Sequence, residues 1–264
     1  FDVSDALALR AAVTTAIGRP NYADLAPYVI VDTSTPEVTM GNADLKPLRS
    51  TNLDAAVEYY LPHQGLISLG AFYKHISDPI YTQSLSDVTG TFAGQSLTNA
   101  TVTEPLNASK AEIRGFEVNA QVQFDFLPSP LDGFGINTSF TYIDSAASGL
   151  SARSGHLPMF DQSKNVASLQ LLYEKYGFSS RLAYSYRSKF LDTVGSEKMT
   201  DVYEEAHGQL DARISYQLTE VTNIFLEGAN LTDAPWRRYI GVSSQVYENE
   251  HYGWSLNGGV QFKL

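Results

Sequence analysis

Four consecutive residues, Trp236-Arg237-Arg238-Tyr239, set two guanidiniums between two aromatic rings. A guanidinium offers a planar fork of donors, and an indole or phenol offers a flat face with a polar edge. Arg187, Phe160, Asp161 and Tyr81 carry the same chemistry elsewhere and complete a candidate ligand-binding set. Around them lies a wider pool of Tyr22, Tyr28, Phe92, Tyr203 and Tyr247, with Arg153, Asp192, Asp201, Glu204 and Glu205. Aromatic faces can stack on sugar rings, while carboxylates and arginines can hydrogen-bond hydroxyls. Arginines can alternatively clamp the anionic groups of a metal chelate. The plainer reading of any one of these residues is an interfacial anchor or a solvated loop position.

Bond-breaking chemistry finds no comparable support. The five histidines, His63, His75, His156, His207 and His251, have no acidic partner in a repeated pattern, so no acid–base pair is expected. Cysteine is absent, which removes thiolate metal sites, disulfides and a cysteine nucleophile. No H-x-x-x-H and no acidic calcium loop occurs, and Gly133-Phe134-Gly135 lacks the Gly, Lys and Ser/Thr of a phosphate loop. The expectation is a non-enzyme without cofactor or metal. The formal net charge of −11 argues against nucleic acid, which needs a basic face.

The elements that must hold the candidate residues alternate with a period of two. Phe116, Val118, Ala120, Val122, Phe124 and Phe126 share one parity, and Glu117, Asn119, Gln121, Gln123 and Asp125 the other. The same reading fits Leu7 to Ile17, Leu53 to Leu61, Phe178 to Tyr186, Leu210 to Leu218 and Trp254 to Leu264. Successive strand side chains point to opposite faces, so each segment has one apolar and one polar face. Four less regular runs cover Ile67 to His75, Ile136 to Tyr142, Val166 to Tyr173 and Ile224 to Leu231. Together they predict about ten strands of the length that crosses a tilted bilayer path. The apolar parities of the regular segments contain no Asp, Glu, Lys or Arg. A lipid-facing register must be purged of charge, because a mid-depth Arg or Lys costs about 2–4 kcal/mol.

Connections alternate as well. Pro62 to Gly65, Leu127 to Gly133, Glu174 to Gly177 and Thr219 to Thr222 are short; Gly18 to Arg49, Asp78 to Ser109, Ser145 to Ser163, Ser188 to Ala206 and Asp233 to Glu250 are long. Short turns on one side and long loops on the other describe an outer-membrane barrel. A soluble sandwich also alternates, but its turns are short at both ends and its strands run about 5–6 residues. Apolar runs of about four or five residues are too short for a membrane helix, which needs roughly 20. Phe1-Asp2-Val3-Ser4-Asp5 has neither the basic start nor the apolar core of a secretory leader. Sixteen tyrosines and thirteen phenylalanines, gathered near strand ends, suit the membrane interface.

Several stretches carry a family resemblance. Asn230-Leu231-Thr232-Asp233, followed by Tyr239-Ile240-Gly241 and Tyr252-Gly253-Trp254, resembles the segment near the end of TonB-dependent outer-membrane receptors. Arg19-Pro20-Asn21-Tyr22, Gly41-Asn42-Ala43-Asp44-Leu45-Lys46-Pro47, Asn52-Leu53-Asp54 and Arg114-Gly115-Phe116-Glu117 resemble further motifs of that family, in the family's order. Leu264 departs from it, standing where an aromatic residue usually ends the barrel. The resemblance implies an all-β, transmembrane antiparallel β-barrel of about 22 strands around a plug. Residues 1–264 would supply its C-terminal part, about ten strands, with the plug and earlier strands absent from this chain.

An open ten-strand sheet in lipid would leave two unpaired edges, at several kcal/mol per unsatisfied group. The expected partner is therefore a separate N-terminal half bearing the plug and earlier strands. Through that half the resemblance implies the TonB-ExbB-ExbD energy-transducing complex. Outer-membrane lipid or lipopolysaccharide and a small-molecule nutrient complete the partners, and the expected location is the outer membrane of a Gram-negative bacterium. Residues Asp233 to Gly253 lean toward the subgroup that takes up carbohydrate; a ferric siderophore is the alternative ligand. A passive porin or structural barrel is the non-transporting alternative.

Overall fold

The computed structural model describes residues 1–62 and 65–263. His63, Gln64 and Leu264, on which the centre of the expected Pro62–Gly65 turn and the end of the expected Trp254–Leu264 run fall, lie outside the described residues. Ten long strands form the body: β1 (Leu7–Gly18), β2 (Leu48–Leu61), β3 (Gly65–Ser77), β4 (Lys110–Gln123) and β5 (Phe134–Ser148). They continue as β6 (Asn165–Lys175), β7 (Phe178–Arg187), β8 (His207–Thr219), β9 (Thr222–Ala229) and β10 (Ser255–Phe262). Each pairs antiparallel with the next, in chain order. The sheet is open. Short Asp2–Ser4 folds back on the start of β1, and β10 forms the other edge.

Register places the apolar residues side by side. Leu9, Val57, Leu69, Val118 and Phe140 are successive cross-strand partners, so they share one face. All five are exposed large hydrophobics, as are Ile214, Leu256 and Val260. A continuous apolar face of this size turned outward marks a surface that meets lipid rather than water. The opposite face carries Arg10, Glu58, Asn119, Arg213 and Glu227, with ion pairs Arg10–Glu58 at 2.6 Å and Arg213–Glu227 at 2.8 Å. The alternation read from the sequence is thus one lipid-type face and one polar face. Among the described residues no helix is long and apolar enough to cross a membrane.

The long connections are less irregular than the sequence suggests. Asp78 to Ser109 folds as a hairpin of Ile80–Phe92 and Gln95–Asn107, turned at Ala93 and Gly94. Both turn residues have positive φ, 45° and 83°, which the tight hairpin twist requires. Its strands are rich in Ser and Thr and carry register shifts, so no clean apolar parity announces them. This hairpin joins Val29–Asp32 and Glu37–Met40 in one small sheet; Phe190–Thr193, Val202–Glu204, Trp236–Ile240 and Val246–Glu250 make a second. Since one face of the main sheet meets lipid and the other the lumen, the dry core lies among these outer segments. Ile76, Tyr81, Ala111, Ile113, Phe160, Leu191 and Val194 form its main cluster.

The family-like motifs are joints of this outer layer. Asn42 accepts from the Asp44 N–H at 2.9 Å and donates to the Pro105 carbonyl at 3.0 Å. Asn107 accepts from the Lys46 N–H at 2.8 Å. Together they tie the first long loop to the hairpin. Asn230, at φ 51°, accepts from the Ala234 N–H and donates to the Gly253 carbonyl at 3.1 Å. Its own N–H reaches Asp211 at 2.8 Å. These side chains replace the ladder where strands end.

Candidate functional site

The second outer sheet splits the Trp236–Tyr239 run between its two faces. Arg238 stands directly between Glu204 on one neighbouring strand and Glu248 on the other. Phe190 continues the row beyond Glu204. On this face Arg238 pairs with Asp192 and Glu248, and Arg187 pairs with Glu204. The Trp236 indole N–H donates to the same Glu204 carboxylate at 2.6 Å. The guanidinium of Arg238 lies 5.7 Å from the Trp236 ring and 5.4 Å from the Tyr247 ring, and that of Arg187 lies 5.1 Å from Phe190. Arg187 belongs to the inward register of β7, which places this face at the mouth of the lumen.

The result is a layer of two guanidiniums and three carboxylates bordered by three rings. Arg238 also keeps its Nε buried without a protein partner, a donor left over after Asp192 and Glu248 are served. Asp161 approaches from the preceding loop, held at φ 55° with its N–H on the Leu191 carbonyl at 2.8 Å. Partial burial, then the Asp192 and Glu204 carboxylates, push Asp161 up to about 6, and Arg238 opposes them. Counting Asp161, four carboxylates surround two arginines. This mouth is acid-rich.

The other face of the same strands is structural. Tyr239 is 2 % exposed and stacks on Tyr203, with ring centroids 5.4 Å apart at 17°. Arg237 leaves that side to pair with Glu205 at 2.7 Å and to donate to the Ser243 carbonyl at 2.9 Å. Beneath, Asp201 is fully buried and accepts from Arg153 at 2.6 Å. Phe160 and Tyr81, 5 % and 3 % exposed, pack ring against ring at 5.4 Å in the outer core. The Tyr81 hydroxyl donates to Gln83 at 3.0 Å and accepts the Ser151 N–H at 3.0 Å.

Of the residues picked out from the sequence, the structure therefore gathers Trp236, Arg238, Arg187 and Asp161 at one mouth. Arg237 stands on the reverse side of the sheet, and Tyr239, Phe160 and Tyr81 fill the core that supports it. Sequence reasoning missed Glu248 and the role of Lys189, whose ammonium lies 5.9 Å from both the Tyr203 and Tyr239 rings. Glu248 had a readable signal: Val246–Glu250 follows Trp236–Ile240 after a short connection, and a hairpin there sets Glu248 across from Arg238. Among the described residues no group of three or more His, Asp or Glu could hold a metal ion.

Comparison with known proteins places this architecture. A family profile described as TonB dependent receptor-like, beta-barrel matches residues 1–231. The chain belongs to the TonB-dependent receptors. Barrels of this family are outer-membrane proteins of Gram-negative bacteria. Among solved structures, the siderophore receptor PirA of Acinetobacter baumannii superposes with a TM-score of 0.64 over 99 % of this chain at 16 % identity. A mutant of the Pseudomonas aeruginosa ferric enterobactin receptor PfeA, bound to enterobactin, gives 0.66 over 99 % at 16 % identity. The ferric-catecholate import receptor Fiu of Escherichia coli K12 gives 0.64 over 99 % at 13 % identity. At such identities the likeness establishes the fold. The chain spans 39 %, 39 % and 34 % of those three receptors. No curated protein matches it.

Proposed function

We propose that this chain is the C-terminal wall of an outer-membrane receptor that takes up a ferric siderophore by energised transport. The observation that carries the reading is the set of solved TonB-dependent receptors that superpose on nearly all of it, each a siderophore receptor. The comparisons thus favour the ferric chelate over the carbohydrate toward which Asp233 to Gly253 leaned. The open edges at β1 and β10 support completion by earlier strands and a plug, since unpaired edges are untenable in hydrocarbon. TonB, with ExbB and ExbD, would act on that plug. Arg187, Trp236, Arg238, Asp161 and Tyr247 would touch the ligand from this half of the mouth.

Four carboxylates around two guanidiniums repel a strongly anionic complex and tolerate a neutral or cationic one. We therefore read the ligand as a ferric chelate without net negative charge, of the hydroxamate kind, although one of the named neighbours is a ferric-catecholate import receptor. The test is quenching of receptor tryptophan fluorescence by ferric tris-hydroxamate, ferric tris-catecholate and an oligosaccharide. Saturable quenching by the hydroxamate complex supports the reading. Quenching by the catecholate alone overturns the charge argument, and quenching by the oligosaccharide alone overturns the siderophore.

A further inference from the structure

The two small outer sheets are joined. Gln83, in the hairpin strand Ile80–Phe92, and Val194, just past Phe190–Thr193, are partners in a parallel bridge. The Ser84 N–H donates to the Val194 carbonyl at 2.9 Å, and the Val194 N–H to the Thr82 carbonyl at 3.1 Å. The bridge turns two four-stranded sheets into one layer, from Val29–Asp32 at one edge to Val246–Glu250 at the other. All five long connections enter it. Glu37–Met40 joins the hairpin in parallel, with Val38 opposite Val102. The loop 145–163 lies across the junction, its Ser151 N–H on the Tyr81 hydroxyl at 3.0 Å and its Ser151 hydroxyl on Gln83 at 2.5 Å.

A junction this narrow is either a hinge or a fixed seam, and its polar groups decide which. Gln83, Leu191, Val194 and Asp201 are buried. The Asp201 carboxylate accepts from Arg153 and from the Gly195 N–H at 3.0 Å, and its backbone carbonyl takes the Gly241 N–H at 2.8 Å. Arg153 also donates to the Gly195 carbonyl at 3.3 Å. Among the described residues no buried side-chain atom at this junction lacks a partner. Opening it would strip Gln83, Asp201 and Arg153 of their partners inside a dry core, where unpaired polar and charged groups are most costly. A hinge is built instead from exposed backbone with few buried contacts.

The segment that crosses the seam also reaches the mouth. Leu191 and Val194 belong to the outer core, whereas Asp192 between them pairs with Arg238. The Leu191 carbonyl holds the Asp161 N–H. Two of the four mouth carboxylates therefore hang on residues 190–194. We propose that Gln83, Arg153 and Asp201 are positioning residues: by fixing residues 190–194 they hold Asp161 and Asp192 in a preformed mouth, and the outer segments of this chain move as one body. Enclosure of a ligand then falls to the loops of the earlier strands.

The positioning role rests on the siderophore-receptor reading, whereas the joined layer does not, so two measurements on the assembled receptor in nanodiscs separate them. Heat-modifiable mobility reports insertion. The first measurement is amide hydrogen exchange. In the wild type, residues 80–84 and 190–194 should exchange at rates within a few-fold of each other. Asp201→Asn leaves Arg153 without its counter-charge in one sheet, and should speed exchange at residues 80–84 in the other by about tenfold or more. Faster exchange confined to residues 195–204 would overturn the seam. The second measurement uses Gln83→Cys with Val194→Cys, in a chain otherwise free of cysteine, at the strand spacing of about 4.8 Å that a disulfide accepts. Quenching by ferric tris-hydroxamate and uptake of iron should stay within a few-fold between the oxidised and reduced forms of this protein. Uptake lost on oxidation and restored by a reductant would mean that the seam must open, and would overturn the proposal. Asp201→Asn should also weaken quenching several-fold, and the oxidised disulfide placed in that variant should restore both affinity and slow exchange. Affinity that stays low in the crosslinked Asp201→Asn protein overturns the positioning role. If the wild type neither binds nor takes up a ferric chelate, the receptor reading fails and the exchange result still decides the seam.

Discussion

Val118 and Asn119 are adjacent on β4 and separate the two faces of the wall. Val118 is exposed beside Leu69 and Phe140, whereas Asn119 donates to Ser68 at 3.3 Å on the polar side. Val118 lies five residues from Gln123, about 17 Å along the strand and about 13 Å in height at a usual tilt. That is near the middle of the apolar belt. Val118→Arg should then cost about 2–4 kcal/mol of membrane-folded stability, or roughly 30- to 700-fold in the folding equilibrium. Asn119→Arg puts the same side chain into the lumen and should cost no more than about 1 kcal/mol, the loss of one exposed hydrogen bond to Ser68. Reversible refolding of the receptor into lipid vesicles across a urea series reads both values. Equal costs at the two positions, or a larger one for Asn119→Arg, would refute the assignment of faces.

Gly115→Ala should destabilise the barrel by about 1–3 kcal/mol, as overpacking does, because a methyl there would sit 2.1 Å from the Tyr142 carbonyl oxygen and 2.6 Å from the Phe72 ring. The same urea series measures it, and an unchanged midpoint would contradict the close packing. Trp236→Phe removes the indole donor from Glu204 and should weaken the outer sheet by about 1–2 kcal/mol; limited proteolysis at the Gly241–Gln245 connection should speed up accordingly. Asp161 ionises on passing about 6, a value raised above that of the unfolded chain. Its carboxylate therefore disfavours the folded mouth progressively as pH rises from about 4 toward 6 and above. The added negative charge should strengthen binding of a cationic chelate between roughly pH 5 and 7, and Asp161→Asn should flatten that profile. A profile identical in the variant would remove Asp161 from the site.

The wall was legible because lipid imposes a rule on each residue in turn. One parity must be apolar and uncharged at mid-depth, so Phe116 to Val122 and Leu210 to Leu218 declare themselves without any contact being known. The outer layer obeys no such rule. Its hairpin of Ile80–Phe92 and Gln95–Asn107 is stabilised by Thr and Ser pairing and by distant partners such as Val38, none visible in a local window. The same limit governs the mouth. Trp236 and Arg238 are adjacent in parity, and their grouping with Arg187 follows once the strands are counted. Phe160, Tyr81 and Tyr239 have the composition of ligand contacts, yet burial turns their rings into supports. Aromatic type alone does not separate the two roles; only tertiary packing does.

Uptake of radiolabelled iron tests the central claim most directly. Cells lacking other ferric-chelate receptors and expressing this one would be offered a labelled ferric hydroxamate, with and without a protonophore. Saturable accumulation that the protonophore abolishes is the predicted result. Accumulation that rises linearly with concentration and survives the protonophore, or labelled oligosaccharide entering in place of iron, would contradict an energised siderophore receptor.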